Sequence, residues 1–332
     1  MQVKLDLNKS MLFGWMLNRF KFSYKIDYFD RNFYPEFNCN DESTLNYFFF
    51  MVLMDYGFSG SNFYGYIDGK YYEGSKLFWR LGKLKYDEDP KFFSPNFIVR
   101  MDENVFKSLF KYLNLDNIDN LKLSLRFNIV RKAAKRILDE YGGSILNIVY
   151  ASSNSLYCNG SGFVERLKIF KGFDDPVERK PLLLAKILLR RRLISFYDVK
   201  SFHVPVDGKI SLFALRIGLV YLDEIFMEKY FSGILTLSED YALRIRVRES
   251  LDFVSSFSNV DPLSLHDLLD LFIKYCCTEN EPKCISKCIE DICPFSWDLA
   301  CDRACPLINI CKFNGENINN MREPFIQGNI YY

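Results

Sequence analysis

The sequence predicts a mainly α-helical protein with a small N-terminal β-hairpin element and a C-terminal cysteine-rich metal loop. Three observations predict it. Apolar residues recur at helical spacing from Glu103 onward, aromatic residues flank one Asp-Gly pair, and eight of the ten cysteines fall between Cys276 and Cys311. A chain of 332 residues, 49% hydrophobic and 26% charged, is long and apolar enough to bury a sizeable core.

Thr44 to Met54 is aromatic and aliphatic without clean alternation and ends before Gly57, which suits a helix buried on all sides. Its polar neighbours Asn46 and Asp55 stand out for that reason. From Phe63 to Gly74, aromatic residues surround Asp68-Gly69, a pair that tolerates the positive φ angles of a type I′ turn, and the reading is a β-hairpin. Val105, Leu109, Tyr112 and Leu113 mark one helical face, and Ile129, Ala133, Ile137 and Leu138 another. Tyr141-Gly142-Gly143-Ser144 ends the second, because a glycine just past the last turn supplies a left-handed cap. Leu182 to Leu193 and Ser211 to Leu222 are expected helices, with Arg190, Arg191 and Arg192 read as a solvated face of the first. The expected organisation is an N-terminal helical region with the hairpin (1–120), a helical core (121–275) and the cysteine-rich loop with its tail (276–332).

Forty-three Lys and Arg balance forty-two Asp and Glu, so a net charge of +1 gives no global argument for a polyanionic partner. Only His203 and His266 exist, which excludes most multi-histidine metal sites and leaves catalysis to carboxylates or lysine. The longest apolar run, Tyr47 to Leu53, is far short of the roughly 20 residues that span a bilayer, so no membrane partner is expected. Met11 to Leu17 lacks the flanks of a signal peptide, and the expected location is cytoplasmic. Thiols stay reduced there, so a disulfide framework does not explain the cysteines.

Cys293, Cys301, Cys305 and Cys311 are separated by seven, three and five residues. Four soft thiolates in one short loop suit a [4Fe-4S] cluster or, alternatively, zinc, in a structural role with every ligand position filled by protein. A different quartet would recruit Cys276, Cys277, Cys284 or Cys288. The spacing resembles the six, two, five pattern of the iron-sulfur loop in endonuclease III-type DNA glycosylases without matching it.

Glu178-Arg179-Lys180-Pro181, followed by Phe202-His203-Val204-Pro205-Val206-Asp207-Gly208-Lys209, resembles the helix-hairpin-helix glycosylases, in which a lysine opens one helix and a Val-Asp precedes another. The resemblance implies that fold, with Asp207 stabilising the cationic sugar that forms as the base departs. It implies that Lys180 is the residue that can attack the sugar to give a Schiff base. His203, four residues before Asp207, is a candidate for the pocket. The hairpin's Gly-x-Gly turn, whose amides would grip a DNA phosphate, is replaced here by Phe173-Asp174-Asp175-Pro176-Val177-Glu178, and two acids repel phosphate.

A second resemblance covers roughly Tyr34 to Val220. Tyr141-Gly142-Gly143-Ser144-Ile145-Leu146-Asn147, the hairpin Tyr66 to Gly74, Leu45-Asn46-Tyr47-Phe48-Phe49 leading to Asp55-Tyr56-Gly57-Phe58, and the terminal Tyr331-Tyr332 are similar to the queuosine salvage proteins. These are queuosine-nucleoside N-glycosidases on the same scaffold. The resemblance implies that Asp55, Tyr56, Phe58 and Asn147 help to hold the base, with Asp55 standing where asparagine is usual. Pro205-Val206-Asp207-Gly208-Lys209 stands where the family has Phe-Ala-Asp-Tyr-Arg, and the family does not ordinarily carry the cysteine loop. The expected activity is hydrolysis of the base-sugar bond of a queuosine-like 7-deazaguanine nucleoside or nucleotide. An iron-sulfur DNA glycosylase and lyase acting on damaged DNA is the alternative, and a non-catalytic metal-stabilised binding module is the third reading.

Overall fold

The computed structural model describes residues 2–18, 25–36, 42–58, 63–113, 121–286, 305–313 and 321–332. In chain order its elements are β1 (Val3–Leu5), α1 (Leu7–Leu17), α2 (Glu42–Met54), β2 (Tyr64–Ile67), β3 (Lys70–Glu73) and α3 (Gly74–Glu88). There follow α4 (Pro95–Arg100), α5 (Glu103–Lys107), α6 (Leu123–Tyr141), α7 (Ile145–Ala151), α8 (Phe163–Leu167) and α9 (Arg179–Arg190). The remainder are α10 (Gly208–Ile217), β4 (Val220–Leu222), α11 (Glu224–Phe231), β5 (Ile234–Leu235), α12 (Leu237–Ser258), α13 (Pro262–Tyr275) and β6 (Phe325–Ile326). The protein is mainly helical with three two-stranded sheets among the described residues, as the periodicity predicts.

The chain divides into two compact units, each assembled from separate stretches. One comprises Met1–Ile26 and Phe202–Gly328, the other Asp27–Ser201 and Asn329–Tyr332. In the second unit α2 is the central element. Every residue from Thr44 to Met54 is buried, because its aromatic and aliphatic side chains cover the whole circumference and leave no face for water. It packs against α3, α6, α7 and α9. Tyr47 meets Trp79, Tyr86 and Phe93 edge-on, and its hydroxyl donates to the carbonyl of Phe33 at 2.6 Å. The expected hairpin is present: β2 and β3 pair antiparallel through Asp68 and Gly69, both at positive φ. Gly142 caps α6 in the left-handed conformation, also as expected.

In the first unit α1 packs on α12, and α10 lies against α12 and α13. β1 and β4 pair antiparallel, and β5 pairs with β6 in parallel. The expected helix from Ser211 to Leu222 is shorter than predicted. Gly218, at φ 90°, closes α10 after Ile217, and Val220–Leu222 turns outward to pair with Val3–Leu5. Among the described residues no helix is long and apolar enough to cross a membrane.

Arg191 corrects the reading of a solvated basic face. Its side chain is fully buried at the C-terminus of α9, where the guanidinium donates to the carbonyls of Tyr28, Pro35 and Glu36, each at 3.0 Å, and contacts the rings of Phe29 and Phe48. An arginine's planar fork suits this task, since it offers several donors in fixed directions. Arg192 beside it is exposed. Replacing Arg191 with Met leaves three carbonyls without their donor and is expected to lower the unfolding free energy by about 3 kcal/mol. Arg192→Ala should stay within about 0.5 kcal/mol. Chemical denaturation of both variants checks this, and equal midpoints would refute the assigned role.

Candidate functional site

Segments far apart in the sequence meet at Lys180. This residue opens α9, and its side chain is fully buried. Its Nζ donates to the carbonyl of Leu53, at the end of α2, at 2.7 Å and to the carbonyl of Ile330, in the C-terminal tail, at 2.8 Å. The same nitrogen lies 4.6 Å from the centre of the Tyr56 ring, and the Arg126 guanidinium of α6 lies 4.0 Å from it. Arg126 also donates to the carbonyls of Tyr56 and Leu121, and contacts the Phe58 ring. The amide of Gly57 donates to the carbonyl of Tyr332 at 3.0 Å. Asp55, buried beside Tyr56, accepts the hydroxyl of Ser75 at 2.7 Å and the indole N–H of Trp79 at 3.1 Å.

Two cations around one ring leave an electrostatic signature. Burial, with Arg179 and then Arg126 adding to it, holds the Lys180 ammonium well below the usual lysine range, and Asp55 and Asp175 oppose this only in part. Burial likewise lowers Arg126 and raises the Tyr56 phenol, the second against the pull of Arg126. The Tyr56 hydroxyl, the Arg126 Nε and the Asn46 Oδ1 are buried polar atoms with no hydrogen-bond partner among the described residues. Such atoms are uncommon in folded proteins. Asp55, Tyr56, Phe58 and Lys180 are thus brought together. Asn147 is not part of this group: it is exposed on α7 and donates from Nδ2 to the carbonyl of Tyr141, bracing the glycine cap of α6.

The turn that leads into α9 carries its own anions. The Asp175 carboxylate accepts the amides of Val177 at 3.1 Å and Arg179 at 3.2 Å, and Asp174 accepts the amide of Gly172 at 2.9 Å and the ammonium of Lys171 at 2.9 Å. Amides at a helix N-terminus attract negative charge, and here a side chain of the turn takes them.

Asp207 belongs to the other unit. It is half-buried, N-caps α10, and accepts the amide of Ile210 at 3.0 Å. Its backbone is held on both sides, by Arg244 donating to the carbonyl of Val206 at 3.4 Å and by Glu323 packed against Gly208, where a Cβ would come within 2.1 Å of the Glu323 carboxylate. His203 is half-exposed and bonds through Nδ1 to Asp252 on α12 at 2.8 Å.

No family model and no curated protein matches the chain.

Of the four cysteines that the sequence puts forward, Cys305 and Cys311 line a cavity in the first unit, and Cys293 and Cys301 lie outside the described residues. Cys276, Cys277 and Cys284 line the same cavity, so three members of the alternative set stand with two of the first. Cys277 and Cys284 have six residues between them, and Cys305 and Cys311 have five. Burial pushes the Cys305 thiol up to about 12 and the Cys311 thiol up to about 11, and it raises Cys277 against the pull of Arg216. These groups remain thiols near neutrality unless a cation compensates the thiolates.

Arg126 and Arg216 were not singled out by the sequence. The signal was present all the same. Arg126 is in phase with Ile129, Val130 and Ala133, and Arg216 with Leu212 and Phe213, so each is a charge placed on an apolar helical face.

The lowered Lys180 gives a pH dependence with a definite sign. The unfolded lysine, near 10.4, binds its proton more readily than the folded one, so its contribution to stability is largest above about pH 10.4 and shrinks as the pH falls towards the folded value. The difference in unfolding free energy between the wild type and Lys180→Met should therefore grow as the pH is raised from neutrality towards 10. Denaturation at a series of pH values checks it, and a difference that is flat or falls with pH contradicts the assignment.

Proposed function

We propose that this protein is an N-glycosidase that hydrolyses the base-sugar bond of a modified nucleoside or nucleotide of the 7-deazaguanine type. The observation that carries this reading is the convergence on Tyr56. The ring is contacted by Lys180 and Arg126, its hydroxyl is buried without a partner among the described residues, and Asp55 adjoins it. An aromatic ring beside donors and a carboxylate is the equipment for holding a polar heterocycle. In this reading Asp207 stabilises the positive charge that develops on the sugar and water completes the displacement. The helix-capping bond to Ile210 and the grip of Arg244 on the preceding carbonyl fix the carboxylate before substrate arrives. Lys180, tied to two carbonyls, acts by placing Tyr56 and the C-terminal tail and forms no imine in this proposal.

The second reading, an iron-sulfur glycosylase and lyase on damaged DNA, is favoured by the cavity lined with cysteines. The α9 turn weighs against it. An incoming phosphate would have to displace the Asp175 carboxylate from the amides of Val177 and Arg179, and the net charge of +1 offers no compensating field. Location in the cytoplasm is part of the same proposal.

A panel of 7-deazaguanine-type nucleosides, their 5′-phosphates and duplexes with damaged bases decides between the two by chromatographic detection of released base. Release is expected from the small molecules alone. Asp207→Asn should reduce turnover by at least about 100-fold with an unchanged far-UV circular dichroism spectrum, the scale of losing a group aimed at developing charge. Full activity in that variant would remove Asp207 from the chemistry. Borohydride added during turnover should trap no adduct. A covalent product at Lys180 would convert the reading to the lyase.

A further inference from the structure

The cysteine-lined cavity lies in the first unit, between the C-terminal ends of α10 and α13. Its walls include five cysteines, Cys276, Cys277, Cys284, Cys305 and Cys311, with Phe213 and Phe272 among the apolar remainder. We propose that Cys277, Cys284, Cys305 and Cys311 are the ligands of a [4Fe-4S] cluster, and that Arg216 positions the two cysteine-bearing stretches around it. The assignment stands independently of the glycosidase reading.

Four thiolates are the donor set of iron-sulfur clusters and of structural zinc. The two cofactors differ in the room they require. Zinc draws four sulfurs to about 2.3 Å from a single point, whereas a cubane stands between its ligands and spreads them. The cysteines line one cavity together with the apolar side chains of Phe213, Ile217, Phe272 and Leu307.

Arg216 is the independent second observation. It is fully buried near the end of α10. Its guanidinium donates to the carbonyls of Thr278 at 2.8 Å, Glu279 at 3.0 Å and Met321 at 2.7 Å, and lies 3.7 Å from the Cys277 sulfur. Its own carbonyl accepts the amides of Lys312 and Phe313, both at 3.1 Å, and lies 3.1 Å from the Cys311 sulfur. One residue therefore grips the stretch after Cys277 and the stretch after Cys311. A permanent positive charge also suits a site whose four thiolates outweigh the charge of the iron-sulfide core. The cluster would be structural, because cysteine fills all four positions. It would sit at one end of α10, a helix about 15 Å long whose other end carries Asp207.

The test uses the whole chain, purified without oxygen and assayed for iron, acid-labile sulfide and zinc. About four irons and four sulfides per chain are expected, with a broad visible absorption band. A variant in which Cys276, Cys288, Cys293 and Cys301 are all replaced by Ala keeps the proposed quartet and should retain the full iron content and the band. Loss of iron from that variant overturns the assignment, as does wild-type protein that binds zinc or no metal. Single Cys277→Ala and Cys284→Ala variants should lose most of the iron, and full retention in either also overturns it. Arg216→Gln should release iron to a chelator about tenfold faster or more, with an altered resonance from the reduced cluster. An unchanged rate and spectrum would deny Arg216 its positioning role.

Discussion

Buried cations gripping backbone carbonyls hold this protein together. Lys180, Arg126, Arg191, Arg216 and Arg244 are all at least 98% buried, and each donates to main-chain oxygens of segments remote in sequence. A charge taken out of water is costly unless its donors are used, and a carbonyl left inside is costly unless it has one. Each requirement meets the other here. Irregular segments that form no helix or sheet are thereby fixed: the 28–36 stretch by Arg191, the C-terminal tail by Lys180, and the stretches after Cys277 and near Met321 by Arg216.

The carboxylates follow a complementary rule. Asp175 and Asp207 both stand at helix N-termini and accept amides there, but in different ways. Asp175 is wholly buried and uses both oxygens on amides of its own turn, closing an anion site from within. Asp207 is only half-buried, and beside its bond to the Ile210 amide its neighbours are held too: Arg244 grips the residue before it, and Glu323 leaves no room for a side chain on the residue after it. One acid finishes a fold, and the other is presented by it.

Local signals were legible in the sequence wherever one or two residues decide the backbone. Asp68-Gly69 announced the hairpin, Gly142 the end of α6, and the unbroken apolar circumference of Thr44 to Met54 the central helix. Gly218 carried the same message for α10, and reading through it gave a helix too long by a turn. Pairings between distant segments were not legible: Val3–Leu5 with Val220–Leu222 depends on contacts that no window of sequence contains. The site divides in the same way. The Asp55-Tyr56-Gly57-Phe58 segment and Lys180 were visible as residues, but Arg126 became part of their surroundings only through tertiary packing. The cysteines were visible as a group, and their partition into those that share a cavity was not, because Cys284 and Cys305 are joined by folding and not by spacing.

The interleaving of the two units has a consequence for how the chain comes into being. Residues 1–26 leave the ribosome long before Phe202–Gly328, the stretch with which they share a core, and Asp27–Ser201 must likewise await Asn329–Tyr332. Lys180 has no Ile330 carbonyl to receive its ammonium until those last residues emerge. During synthesis an apolar helix as uniformly aromatic as α2 is thus waiting in an unfinished shell. The second unit is therefore completed only when Asn329–Tyr332 join it, well after Asp27–Ser201 have been made.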